Sequence, residues 1–166
     1  MFVGRKKELD ALNSRYKSNR KEFGVLYGRR RIGKSSILNE FFKGKKGILF
    51  QAKQDNSYGN LKSFSYEVDH LLNLPDTFVF ASWQHAFKSI QEYAKNERFV
   101  LIIDEYPYIV SQDSSFSSVL QEFIDHTSDN MMVILSGSDI GFLQKEIQNH
   151  ASPLYKRRTF EMEIKK

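Results

Sequence analysis

The chain has 166 residues, with 25 Lys and Arg against 20 Asp and Glu, and it contains no Cys, which excludes a disulfide framework or a thiolate metal site. Hydrophobic residues at 40% and charged residues at 27% exclude a disordered chain and point to one compact domain. The net charge of +5 is uneven: residues 1–53 carry 15 basic and 4 acidic side chains, whereas residues 54–150 carry 5 and 14. Such asymmetry signals a phosphate site, a nucleic-acid face or a partner surface.

In chain order, Leu9, Leu12 and Tyr16 recur at helical spacing and predict a helix near 5–19. Phe23–Tyr27 is short, apolar and partly β-branched, and predicts a strand running into Gly28. A helix is expected over 34–43, with Ile37, Leu38, Phe41 and Phe42 inward, and a strand over 47–53. Leu61, Phe64, Val68, Leu71 and Leu72 predict a helix near 58–73, with Pro75 beyond its end. Ser82 is a candidate N-cap for a helix bearing Trp83, Phe87, Ile90 and Ala94. Phe99–Asp104 and Met131–Leu135 are continuous apolar strands, too short to cross a bilayer. Between them, Phe116, Val119, Leu120, Phe123 and Ile124 mark an amphipathic helix. Ile140, Leu143 and Ile147 mark a short one, and Phe160–Ile164 alternates like a sheet-edge strand.

Apolar strands alternating with helices predict an α/β fold, a parallel sheet covered on both faces. Ligands of such sheets bind beyond the carboxyl ends of the strands. The chemistry is therefore expected just after Tyr27, Ile103 and Leu135. The N-terminus lacks a signal-peptide stretch, so a cytoplasmic protein is the expectation. The four histidines are scattered without metal-ligand spacing.

Three motifs sit at those strand ends. Gly28-Arg29-Arg30-Arg31-Ile32-Gly33-Lys34-Ser35 fits GxxxxGK[ST], the P-loop. Its backbone N–H groups, continued by Ser36 at the helix start, would hold phosphate oxygens. Lys34 would reach the β- and γ-phosphates, and the Ser35 hydroxyl would coordinate Mg²⁺. Asp104 and Glu105 end the second strand as an acid pair. Asp104 is the second Mg²⁺ residue and Glu105 the general base that polarises water. Ser136 and Ser138 follow the third, and either serves as a γ-phosphate sensor. Arg29–Arg31 and the run Lys43, Lys45, Lys46 read as loop electrostatics and a solvated turn. Tyr106 and Tyr108 flank Pro107 just beyond the acid pair and either pack the site or relay the nucleotide state.

The stretches FVGRKKEL, LYGRRRIGKSSILNEF, VLIIDEYPY, LQEFIDH, VILSGS and SPLYKRRTFEM run in order through residues 2 to 162. In them the chain resembles the P-loop domain of AAA-type ATPases of the archaeal and bacterial STAND-like group. The resemblance implies a three-layer P-loop NTPase fold of the additional-strand, catalytic-glutamate type, with sheet order 5-1-4-3-2. It implies that Val3, Gly4 and Arg5 lie near the adenine. It also implies that Arg158 or Arg157 acts on the γ-phosphate, in cis or from a neighbouring subunit. Lys156 stands where a small residue is usual, and Asp139 where Ser is. ATP rather than GTP follows from the resemblance and from the lack of an NKxD motif.

The expected function is Mg²⁺-dependent ATP binding and hydrolysis by one domain over 1–166, a fragment of a longer protein with a winged-helix and nuclease-like part. Three alternatives share the sequence. The first is a nucleotide-dependent switch with little turnover, acting on an effector domain or within a homo-oligomer. The second is a nucleic-acid-binding module, motivated by the basic start. The third is a small-molecule kinase, disfavoured because the Asp-Glu pair suits water as acceptor.

Overall fold

The computed structural model describes residues 4–75 and 78–166. Val3, expected beside the adenine, lies outside the described residues. Among the described residues there are five strands: β1 (Glu22–Tyr27), β2 (Gly47–Gln51), β3 (Phe99–Asp104), β4 (Met131–Gly137) and β5 (Phe160–Glu163). All pair in parallel, in the order β2-β3-β4-β1-β5. Read from the other edge this is the expected 5-1-4-3-2.

The helices are α1 (Lys6–Tyr16), α2 (Lys34–Phe42), α3 (Ser57–Leu72), α4 (Trp83–Tyr93), α5 (Pro107–Gln112), α6 (Phe116–His126) and α7 (Ile140–Gln148). Alternation along the strands divides the core. Phe23, Val25, Leu101, Ile103, Val133 and Leu135 pack in one cluster with residues of α3 to α7. Leu26, Val100, Ile102, Met132 and Ile134 pack in the other with Leu12 of α1 and Ile37, Leu38 and Phe41 of α2. The inner strands read as unbroken apolar runs because both faces are covered.

The first cluster is aromatic. Trp83 meets Phe116 edge-on at 4.8 Å and Phe64 at 5.1 Å, and Phe87 stacks on Phe123 at 4.8 Å. Ser82 caps α4 as expected, accepting the His85 amide. β5 is an edge strand, as its alternation suggested, and its Phe160 ring occupies the space that a side chain at residue 24 would fill, so β1 carries Gly24 there.

Two elements differ from expectation. α5 was not foreseen; it is six residues long, too short to show apolar periodicity, and Pro107 opens it. β4 runs two residues past Leu135, because Ser136 and Gly137 continue the ladder opposite Leu26 and Tyr27. The α3–α4 connection passes through residues 76–77, which lie outside the description.

Candidate nucleotide site

The site lies where the carboxyl ends of β1, β3 and β4 meet. Parallel register brings Tyr27 level with Gly137, and Ile103 level with Leu135. The Gly28–Ser35 loop leaves β1, and α2 begins at Lys34 with Gly33 as its N-cap at φ 105°. That left-handed backbone is why glycine is required at residue 33. Gly28 is required for a different reason: a Cβ there would lie 2.7 Å from the Ile164 carbonyl oxygen. Arg31 also adopts positive φ, at 63°.

Behind the loop, Arg5 Nη2 donates to the Ile32 carbonyl at 2.8 Å and Nη1 to the Lys165 carbonyl at 2.7 Å. Arg5 thus ties the amino-terminal segment and the stretch after β5 to the back of the loop. Gly4 precedes it, exposed and at φ 89°.

Lys34 is 6% exposed, and its Nζ donates to the carbonyls of Gly28 at 2.7 Å and Arg29 at 2.9 Å. Burial lowers its pKa, opposed by the nearby Glu105 and Asp104 charges. Asp104, 2% exposed, is the hub of the site. Its Oδ2 accepts from Ser35 Oγ at 2.9 Å, and its Oδ1 accepts from Ser136 Oγ at 2.7 Å and the Glu105 amide at 3.0 Å. The P-loop serine and the acid strand, 69 residues apart in sequence, are therefore in direct contact.

Glu105 turns away from the strand at φ 57°, a conformation uncommon for a non-glycine residue. Burial and the Asp104 charge raise its pKa, against the pull of Lys34, Arg30 and the Ser138 amide. No ion pair of the described residues involves it. A cavity of about 310 Å³ is lined by Arg31, Gly33, Lys34, Ser35, Ser36 and Glu105. Larger hollows elsewhere, such as an apolar one of about 840 Å³ between Leu72, Phe80 and Tyr93, hold none of these groups.

The donor set suits Mg²⁺ by its chemistry. Ser35 and Asp104 offer adjacent hard oxygens, and Mg²⁺ ordinarily takes one or two protein ligands and completes its shell with water and phosphate. Among the described residues no group of three or more His, Cys, Asp or Glu forms a protein-built metal cage.

The two serine candidates separate. Ser136 is fully buried and its hydroxyl is committed to Asp104, so it holds that carboxylate in place. Ser138 is half-buried, with its amide toward Glu105. Asp139 is exposed and caps α7 by accepting the Phe142 amide at 3.1 Å, which accounts for an acid at that position.

Arg158 is not at the site in its own chain. It stands just before β5, and Thr159 bonds to Phe23 near the start of β1, so Arg158 belongs to the amino end of a parallel sheet. There it pairs with Glu161 at 3.1 Å and donates to the Ile147 carbonyl. Arg157 is bound at the same end to Asp125, at 2.8 and 2.9 Å. The expectation of action in cis is corrected: both arginines lie a strand's length from the P-loop. Sequence order already carried the signal, since residues entering a parallel strand lie opposite those leaving one. Lys156 adopts φ 63°, the conformation that explains why a glycine would suit the position.

Tyr106 and Tyr108, which sequence reasoning left between packing and relay, have defined partners, and one of these, Glu146, escaped it. Tyr108 Oη accepts from Arg30 Nη2 at 3.1 Å. Tyr106 is fully buried; its hydroxyl meets Ser117 Oγ at 2.7 Å and donates to Glu146 Oε1 at 3.1 Å. Glu146 also accepts from Ser117 at 2.8 Å and from Ser152 at 2.9 Å. The residue after Glu105 is thereby joined to α6, α7 and the segment that follows α7.

Known proteins resemble the chain in family and fold. The model of an ATPase domain predominantly from Archaea matches residues 2–166. An uncharacterized Methanocaldococcus jannaschii protein, MJECL04, is 29% identical over 99% of the chain, which spans 36% of that protein's length. An uncharacterized ATP-binding protein of the same organism, MJ0423, is 44% identical over 28% of the chain and 78% of its own length. In fold, the chain is similar to Cdc6p from Pyrobaculum aerophilum, with TM-score 0.65 and 12% identity, covering 99% of this chain and 46% of that one. Drosophila ORC bound to DNA gives TM-score 0.67 at 15% identity, over 98% and 43%. No helix among the described residues is long and apolar enough to cross a membrane.

Proposed function

The chain belongs to the family of ATPase domains found predominantly in Archaea, and on that footing we propose that it binds Mg-ATP between the Gly28–Ser35 loop and the Glu105 turn and hydrolyses it. The observation that carries this reading is the 2.9 Å bond between Ser35 and Asp104, which joins the phosphate loop to the acid strand beside Glu105. Loop amides and Lys34 hold the phosphates, and Lys34 exchanges its bonds to loop carbonyls for phosphate oxygens. Ser35 and Asp104 hold Mg²⁺, with Asp104 kept in place by Ser136. When bound, Mg²⁺ draws negative charge off the phosphate oxygens as a Lewis acid. Glu105 accepts the proton of the attacking water, and its raised pKa strengthens it as a base. Ser138 is the remaining sensor candidate. Arg158 or Arg157 would act on the γ-phosphate of a neighbouring subunit, across an oligomer interface.

A nucleotide-dependent switch of the STAND-like kind, with little turnover of its own, is the second reading. The buried link from Tyr106 to Glu146 favours it, because this link gives the Glu105 turn a route to α6 and α7. A nuclease-like or other effector domain, in a cytoplasmic protein, belongs to the same reading.

The test is nucleotide binding and steady-state turnover of the full-length protein. Lys34→Ala should lose nucleotide affinity. Glu105→Gln should bind ATP normally and turn over roughly 100-fold more slowly or worse. Equal hydrolysis by wild type and Glu105→Gln would sink the mechanism. Turnover that appears only with a partner would favour the switch.

A further inference from the structure

The three consecutive loop arginines have different surroundings. Arg29 gives its carbonyl to Lys34 at 2.9 Å, and Arg31 lines the cavity. Arg30 instead joins the phosphate loop to α5, through its 3.1 Å bond to the Tyr108 hydroxyl.

Tyr108 is well placed to steer it. The Tyr108 amide donates to the Glu105 carbonyl at 3.0 Å, and its ring packs against the aromatic core. One turn thus carries both Glu105 and the group that aims Arg30. The nature of the partner matters. A phenol directs a guanidinium without neutralising it, whereas a carboxylate would compete with any incoming anion. Among the described residues Arg30 forms no ion pair. Its charge also acts on both Glu105 and Lys34.

We propose that Arg30, aimed by Tyr108, is the residue that distinguishes a nucleoside triphosphate from a diphosphate. Its planar guanidinium matches two oxygens of a terminal phosphate, and it is more weakly hydrated than an ammonium, so it surrenders less on binding. A diphosphate ends at its β-phosphate and leaves the fork with no γ-phosphate to hold. The inference rests on the nucleotide-site reading above, and Tyr108 is a positioning residue in it.

The experiment is equilibrium binding of ADP and of a non-hydrolysable ATP analogue, with Mg²⁺, to the full-length wild-type protein and its variants. Arg30→Ala should weaken the analogue about tenfold or more, the worth of a charge-assisted hydrogen bond, and leave ADP within about threefold. Arg30→Lys should fall between wild type and Arg30→Ala for the analogue. Tyr108→Phe, which keeps the packed ring, should weaken the analogue about threefold, one neutral hydrogen bond. Equal weakening of both nucleotides by Arg30→Ala would overturn the proposal, since general loop charge would suffice. So would no change in either. Lys34→Ala separates the two levels. If it binds both nucleotides like wild type, the nucleotide-site reading itself fails. If it loses both while Arg30→Ala keeps the wild-type ratio of affinities, only the Arg30 assignment fails.

Discussion

Glu22 at the amino end of the sheet, and Lys34 and Glu105 at its carboxyl end, carry their charge in opposite ways. At the amino end, Glu22 lies 1% exposed and accepts from Ser18 Oγ at 2.7 Å, Thr159 Oγ1 at 2.5 Å and Arg15 at 3.4 Å. Burial alone would raise its pKa, but those hydroxyls and the Arg15 charge outweigh it and hold the carboxyl below its ordinary value. At the carboxyl end, Lys34 bonds to carbonyls, Glu105 has a left-handed backbone and no ion pair among the described residues, and both pKa values move against the charged form. The fold satisfies charge where the chain only needs holding together. At the carboxyl end Asp104 is well bonded, but Lys34 and Glu105 form no ion pair among the described residues, where a ligand is expected to complete them.

The sharpest test of this contrast is a pair of substitutions. Glu22→Ala should destabilise the protein by about 2–3 kcal/mol, since it removes the acceptor of several buried hydrogen bonds, and should leave turnover per folded molecule unchanged. Glu105→Gly should be neutral or stabilising by up to about 1 kcal/mol, because glycine adopts positive φ freely, while abolishing turnover. Denaturant melts alongside initial rates check both. Destabilisation by Glu105→Gly as large as that by Glu22→Ala would break the comparison.

Acid titration gives opposite signs at the two ends. Glu22, with its lowered folded pKa, contributes stability that is present above the unfolded value of about 4.3 and lost as pH falls through the folded one. Glu105, with its raised pKa, contributes stability at low pH that is lost as pH rises through its folded value. Turnover should fall on acidification while the protein remains folded, at a pH above that where stability begins to fail. A pH–rate profile beside a pH–stability curve measures the separation.

Smaller effects should follow from the supports. Ser136→Ala removes one buried donor to Asp104 and should cost about 1 kcal/mol in stability. It should also raise the Mg²⁺ concentration needed for half-maximal rate, measurable by metal titration. Arg157→Ala breaks an exposed pair with Asp125 and should cost less than about 1 kcal/mol. A selective loss of turnover in that variant that depends on protein concentration would instead favour the intersubunit role.

The sheet and the meeting of the Gly28–Ser35 loop with the acid strand were legible because they rest on signals that survive in one dimension. Continuous apolar runs announce covered strands, and the spacing from Gly28 to Ser35 announces a loop between a strand and a helix. What escaped depends on three dimensions. Nothing in VLIIDEYPY reports that Glu105 takes positive φ or that Pro107 opens a helix. Ser136 and Ser138 are indistinguishable by type; they differ because β4 continues through Gly137, so that one serine is buried inside the ladder and the other leaves it. Arg158 was tied to the γ-phosphate by resemblance, while the direction of β5 assigns it to the far end.

The clamp behind the phosphate loop bears on the order of assembly. Arg5 holds the Ile32 carbonyl and reaches the Lys165 carbonyl across 160 residues of sequence, and the Ile164 amide bonds to the Tyr27 carbonyl at the loop's root. Contacts of such separation form late, after loop-closure entropy has been overcome. The loop therefore gains its backing only once β5 has docked beside β1. Nucleotide affinity measured during refolding should lag behind the appearance of secondary structure, and binding would then report that the last strand has arrived.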